Sequence, residues 1–115
     1  MEKKQAMELV EEYEKKQGRN PERVNKFREG YDLKSGDRFI DVKIGTERDK
    51  DLLLSLTKFK KLGKNIINYY VYLVIEGEKP KLKILEPEFL LRNFKLLTLM
   101  NVKGNSLRRV KAEEL

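Results

Sequence analysis

The 115-residue sequence predicts an α/β domain, a mixed β-sheet with helices packed against it. Three observations carry this expectation. An amphipathic helix opens the chain, two strands joined by a tight turn follow it, and a strand apolar on both faces lies beyond the middle. Helical and strand periodicities that alternate on this scale are what a layered α/β architecture requires.

The opening helix is read over residues 3–17, where Ala6, Leu9, Val10, Tyr13 and Gln17 recur at helical spacing and form one stripe. Gly18 stops it, and Asn20-Pro21 marks a turn. Val24 to Phe27 is read as a short strand, and Gly30 to Lys34 as the next. Ser35-Gly36-Asp37 is turn chemistry, and Phe39 to Ile44 alternates strictly. Ile40, Val42 and Ile44 therefore face one way, and Phe39, Asp41 and Lys43 the other. After a polar loop over 45–50, Leu52 to Leu56 is expected to form a strand. Thr57 is expected to cap a helix over about residues 58–64. Tyr69 to Ile75 has the two-faced apolar pattern of a central strand, and Lys81 to Leu85 alternates again. Pro87 opens a short helix to Asn93. Leu107 to Lys111 is read as a last strand and Ala112 to Leu115 as a tail.

Length allows one domain, residues 1–115, with a core over about 3–111. There is no cysteine and no histidine. Disulfides, zinc–thiolate sites, histidine bases and Ser-His-Asp triads are all excluded. Carboxylates, lysines, tyrosines and hydroxyls remain, and carboxylates suit Mg²⁺ or Mn²⁺. Lys and Arg number 26 against 19 Asp and Glu, a net charge of +7 that attracts polyanions such as nucleic acid. The charged N-terminus is no secretory signal, and no apolar run is long enough to cross a bilayer. A cytoplasmic protein is expected, and the abrupt helical start leaves open whether the chain stands alone or is cut from something larger. No Walker pattern is present, so no ATPase activity is expected here.

The motifs that carry chemistry are Gly30-Tyr31-Asp32-Leu33 and Phe39-Ile40-Asp41-Val42-Lys43. A tight hairpin between them would set Asp32 and Asp41 side by side, about 5 Å apart. Two carboxylates that close repel unless a divalent cation lies between them. The Val42 carbonyl would add a third oxygen, and Lys43 projects from the face of Asp41. Such a set suits metal-assisted phosphodiester hydrolysis, with the lysine stabilising developing charge. A solvent-facing ion pair is the alternative for a lone D-x-K.

Further candidates are Glu14 on the first helix, as a carboxylate presented to the metal or as a surface residue. Lys58, Lys60, Lys61 and Lys64 form a basic helix for the phosphate backbone or a solvated face. Arg108, Arg109 and Lys111 form a similar cluster of less weight. Tyr69, Tyr70 and Tyr72 are expected in a core strand rather than stacked on bases.

Three stretches together, Ala6-Met7-x-x-Val10-x-x-Tyr13-Glu14-x-x-x-Gly18, Gly30-Tyr31-Asp32-Leu33 and Arg38-Phe39-Ile40-Asp41-Val42-Lys43, resemble the family named after the C-terminus of the protein NO VEIN. Leu54-Ser55-Leu56-Thr57, the strand from Tyr70 to Ile75, and Ile84-Leu85-Glu86-Pro87 extend the resemblance over about residues 6–91. It implies a restriction-endonuclease-like mixed sheet flanked by helices, of the PD-(D/E)xK superfamily. Asp32, Asp41 and Lys43 match the nuclease signature, with Asp41 in place of the usual Glu. The family implies DNA as substrate, Mg²⁺ or Mn²⁺ as cofactor, and a place in genome defence or DNA processing beside a helicase or restriction-type ATPase. Related nucleases often form homodimers. Two departures stand out. Lys58-Phe59-Lys60 follows Thr57 where the family has x-Asn-Glu, and Ile44 follows Lys43 where a Gly is usual. They keep open a second reading, an inactive nucleic-acid-binding or protein-docking module of the same fold.

Overall fold

The computed structural model describes residues 1–46, 52–55, 63–93, 99–102 and 104–115. Helix α1 (Lys3–Lys16) opens the chain. The Glu2 N–H donates to Gln5 Oε1 at 2.9 Å, satisfying one orphan donor of the first turn. At the other end Gly18 takes φ +83. The Gly18 N–H donates to the Lys15 carbonyl and the Arg19 N–H to the Glu14 carbonyl, both at 3.0 Å. This paired closure needs a left-handed residue, which glycine adopts without a Cβ penalty.

Strand β1 (Pro21–Arg23) precedes helix α2 (Lys26–Glu29). The expected strand over Val24–Phe27 is therefore replaced by a turn of helix. Asn25 Oδ1 accepts from the Arg28 N–H at 3.2 Å, and Gly30 ends the turn at φ +85. This cap-and-glycine pair outweighs the short apolar run. Strand β2 (Leu33–Ser35) and strand β3 (Arg38–Gly45) form the expected hairpin, with Gly36 at φ +59 in its two-residue connection. A positive φ at that position matches the right-handed twist of the flanking strands.

Strand β4 (Leu52–Ser55) is followed by a 3₁₀ helix (Gly63–Asn68), strand β5 (Tyr69–Ile75) and strand β6 (Lys81–Leu85). Helix α3 (Pro87–Arg92), strand β7 (Leu99–Val102), helix α4 (Gly104–Arg108) and strand β8 (Ala112–Glu114) complete the order. Thr57 and residues 58–62 of the expected basic helix lie outside the described residues.

Six strands form the main sheet in the order β1-β2-β3-β5-β6-β8, and β4 pairs with β7 in a separate ribbon. Among the described strands only β3 and β5 pair in parallel, registered Asp41↔Val71. A parallel pair needs a long crossover, supplied by the chain between Gly45 and Tyr69. The C-terminal reading is corrected. Leu107 belongs to α4 rather than to a strand, and its buried side chain packs with Leu85 and Leu90. Ala112 to Glu114 is no tail but the edge strand β8, paired to β6 with Lys81 opposite Glu114. Ala-Glu-Glu has little strand propensity of its own. An open edge and the facing opposite charge supply the preference instead.

Both sheet faces are covered, as the two-sided pattern of β5 requires. Ala6, Met7 and Val10 of α1 pack on Ile40, Val42 and Tyr72. On the other face Tyr31, Tyr69, Val71 and Leu73 pack with Leu85 and Leu90. Leu82 of β6 is fully buried on the α1 face. Leu82→Ala is expected to lower the unfolding free energy by about 2–5 kcal/mol, read from urea denaturation. A loss below about 1 kcal/mol would place Leu82 outside the close-packed core.

Candidate functional site

The hairpin brings Asp32 and Asp41 to one face of the sheet. The last registered pair before them is Leu33↔Ile40. Beyond it, the Asp32 N–H donates to the Ile40 carbonyl at 2.9 Å. The Asp32 carboxylate then reaches along the open edge of β3, where Oδ2 accepts from the Val42 N–H at 2.8 Å. Backbone and side chain of Asp32 thus grip the residues on either side of Asp41. Both carboxyls are buried, Asp32 at 6% exposure and Asp41 at 0%.

Two ammonium groups sit on this pair. Lys26 Nζ lies 3.6 Å from Asp32 Oδ1 and 3.3 Å from Asp41 Oδ1. Lys3 Nζ donates to Asp32 Oδ2 at 2.9 Å and to the Val42 carbonyl at 2.6 Å. Tyr69 OH donates to Asp41 Oδ2 at 2.9 Å and fixes that carboxylate from β5. Lys43, half-buried, lies two residues beyond Asp41 on the same strand and the same side.

Buried carboxylates are costly unless paired and hydrogen-bonded. Here burial, a hydrogen bond with Asp41 and the charge of Asp41 push the Asp32 carboxyl above its ordinary value. The Val42 N–H and Lys3 pull it back only in part. Burial and then the Asp41 charge push the Tyr69 phenol upward, so it stays a donor.

Glu14 is not brought to this site. Lys3 and Glu14 are eleven residues apart on α1, about 16 Å along its axis. While Lys3 reaches Asp32, Glu14 lies near the other end, fully buried against the opposite sheet face. There it accepts from Arg19 Nε and Nη2, both at 2.6 Å, and from Tyr72 OH at 3.0 Å. Lys58, Lys60 and Lys61 lie outside the described residues, as does the side chain of Lys64.

Lys3, Lys26 and Tyr69 were not singled out from the sequence as members of this site. Lys26 had a usable signal, the Asn25 cap and Gly30 stop that set it on a helical turn beside Asp32. Lys3 and Tyr69 had none, because only the docking of α1 and the β3–β5 pairing bring them in.

The oxygen set suits a hard cation. Asp32, Asp41 and the Val42 carbonyl all offer oxygens, and each already attracts an ammonium nitrogen at 2.6–3.6 Å. Among the described residues no third acidic side chain joins them. That count still matches Mg²⁺, which commonly keeps waters and takes one or two carboxylates.

The family model for the protein NO VEIN C-terminal region matches residues 2–85. The chain belongs to this family. Its matched span includes every residue of the Asp32–Asp41 site. No curated protein sequence matches the chain. Among solved structures, the Holliday junction resolvase Hjc of the archaeal hyperthermophile Archaeoglobus fulgidus superposes with a TM-score of 0.64 at 12% identity. The match covers 94% of this chain and 88% of the resolvase. At that identity the likeness establishes the fold alone, which is restriction-endonuclease-like.

The Asp32 carboxyl is expected to titrate above its ordinary value of 3.8. The folded form then holds this proton to higher pH than the unfolded chain. Taken alone, the group lowers stability as pH rises from 3.8 through the folded midpoint. Carboxyl carbon NMR titration measures that midpoint, and added Mg²⁺ is expected to move it downward. A midpoint at or below 3.8 would contradict the crowded-pair geometry.

Proposed function

We propose that this domain hydrolyses DNA phosphodiester bonds in a divalent-metal-dependent reaction at Asp32, Asp41 and Lys43. The observation that carries the reading is that both carboxylates lie within 3.6 Å of one cation, Lys26 Nζ, on one face of the sheet. A divalent ion held by Asp32, Asp41 and the Val42 carbonyl would supply charge neutralisation and an acidified water. The chain's own residues do the positioning. The Val42 N–H orients Asp32, and Tyr69 OH orients Asp41. Lys43, on the same strand face as Asp41, would stabilise negative charge on the phosphate. The chain's net charge of +7 raises its affinity for any polyanion. The likeness to a Holliday junction resolvase supports DNA as the polyanion.

Family membership favours a genome-defence or DNA-processing role beside a helicase or restriction-type ATPase, and two copies would pair to cut both strands. Among the described residues no helix is long and apolar enough to cross a membrane.

The two lysines favour a second reading, a nucleic-acid-binding module without catalysis. Lys3 and Lys26 already neutralise the acidic pair, so the fold needs no metal to tolerate it.

Incubation with linear, supercoiled and four-way-junction DNA in Mg²⁺ or Mn²⁺ separates the two. Cleavage is expected, falling at least about a hundredfold in Asp41→Asn and Lys43→Ala. Cleavage that survives both substitutions would remove the assignment, and salt-sensitive binding with no cleavage would establish the second reading. Lys3 competes for the same oxygens as the metal. Lys3→Met is expected to tighten Mn²⁺ binding about tenfold by calorimetry and to lower the metal-free melting temperature. Unchanged affinity would show that Lys3 does not hold the cation position.

A further inference from the structure

At the end of the sheet where α1 stops, the chain builds a second polar centre that the acidic pair does not use. Glu14, Arg19, Tyr72 and Arg38 form one hydrogen-bonded chain. Arg19 donates twice to the buried Glu14, Tyr72 OH donates to Glu14, and Arg38 Nη1 donates to Tyr72 OH at 2.7 Å. The Arg38 guanidinium also lies 4.4 Å from the centre of the Tyr70 ring. Both partners of Arg38 are neutral, and among the described residues no carboxylate forms an ion pair with it. Arg38 is therefore held by a ring and a hydroxyl, neither of which carries a charge.

That charge faces a hollow of about 500 Å³. Its wall carries Arg19, Arg38, Arg92, Arg109 and Lys111 against the acids Glu86 and Glu113. Even with Glu14 counted against Arg19, the cations prevail. Tyr13 and Phe89 add aromatic surface to the same wall. A second hollow of about 470 Å³ shares Phe89, Arg92, Arg109 and Val110 with the first, so the two lie side by side.

We propose that this hollow binds the phosphate of a nucleotide, either free or at the end of a nucleic-acid strand. Its volume falls in the usual range for small-ligand sites. A pre-organised guanidinium offers paired N–H donors to phosphate oxygens. Tyr13 and Phe89 offer faces on which a base stacks. The neighbouring hollow gives a strand room to continue. Arg38 begins β3 with its side chain on the α1 face, whereas Asp41 projects from the opposite face. The site is thus separate from the acidic pair and does not depend on the nuclease reading.

The test uses the whole chain in EDTA, so that no metal at Asp32 and Asp41 contributes. Fluorescence anisotropy compares a labelled oligonucleotide bearing a 5′-phosphate with the same strand bearing a 5′-hydroxyl. Calorimetry measures a nucleoside monophosphate and inorganic phosphate. The phosphorylated strand is expected to bind at least about tenfold tighter than its hydroxyl counterpart. Arg38→Gln is expected to abolish that difference. Exposed Arg109→Gln, which leaves the Glu14–Tyr72 bonds intact, is expected to reduce it severalfold, with unchanged circular dichroism in both variants. A monophosphate that binds as tightly as the strand identifies a free nucleotide as the ligand, and preference for the strand identifies a nucleic-acid end. Equal affinity for the two strand ends with no monophosphate binding would overturn the proposal, as would a preference unaffected by both substitutions.

Discussion

Two carboxylates buried side by side across a hairpin are the constraint around which this structure is arranged. Asp32 and Asp41 cannot both be charged in a dry environment without cations close by. The chain meets that demand with two cations, Lys3 from the start of α1 and Lys26 from α2, and Tyr69 of the neighbouring parallel strand adds a neutral hydrogen-bond donor. The open edge of β3 is part of the same solution. At Val42 the missing strand neighbour is replaced by the Asp32 carboxylate on the N–H and the Lys3 ammonium on the carbonyl. Both backbone groups of Val42 are thus satisfied, which makes the acidic pair compatible with a stable fold.

Helix α1 couples the two polar centres of the molecule. Its first turn sends Lys3 to the acidic pair, and its last turns bury Glu14 under Arg19 and Tyr72. The same helix supplies Ala6, Met7 and Val10 to the core between them. A helix carboxylate is therefore present, but it serves a network that holds Arg38 rather than a metal. Burial followed by the charge of Glu14 raises the Tyr72 phenol, and the Glu14 hydrogen bond raises Arg19. Each group keeps the protonation state that the network requires.

The strand readings from Arg38 to Ile75 were legible because their signals are local. Alternation in β3 assigned Asp41 and Lys43 to one face, and Gly36 marked the turn that sets Asp32 near Asp41. The two-faced apolar run of β5 announced a central strand. The readings that failed lacked such signals. Val24–Phe27 has apolar ends, yet the Asn25 and Gly30 caps decide a helix there. Ala112–Glu114 looks like a solvated tail until the unpaired edge of β6 is present to receive it.

By itself the sequence determined the chemistry available and the strand pair that carries it. With neither histidine nor cysteine, only carboxylates, lysines and hydroxyls were left to act, and a period of two decides which of them share a face. Tertiary structure alone decided that Lys3 and Tyr69 complete the acidic pair, that Glu14 does not, and that Arg38 meets Arg109 across a hollow. Those relations join residues far apart in the chain. They depend on how a helix docks and which strands pair, and no local periodicity encodes either.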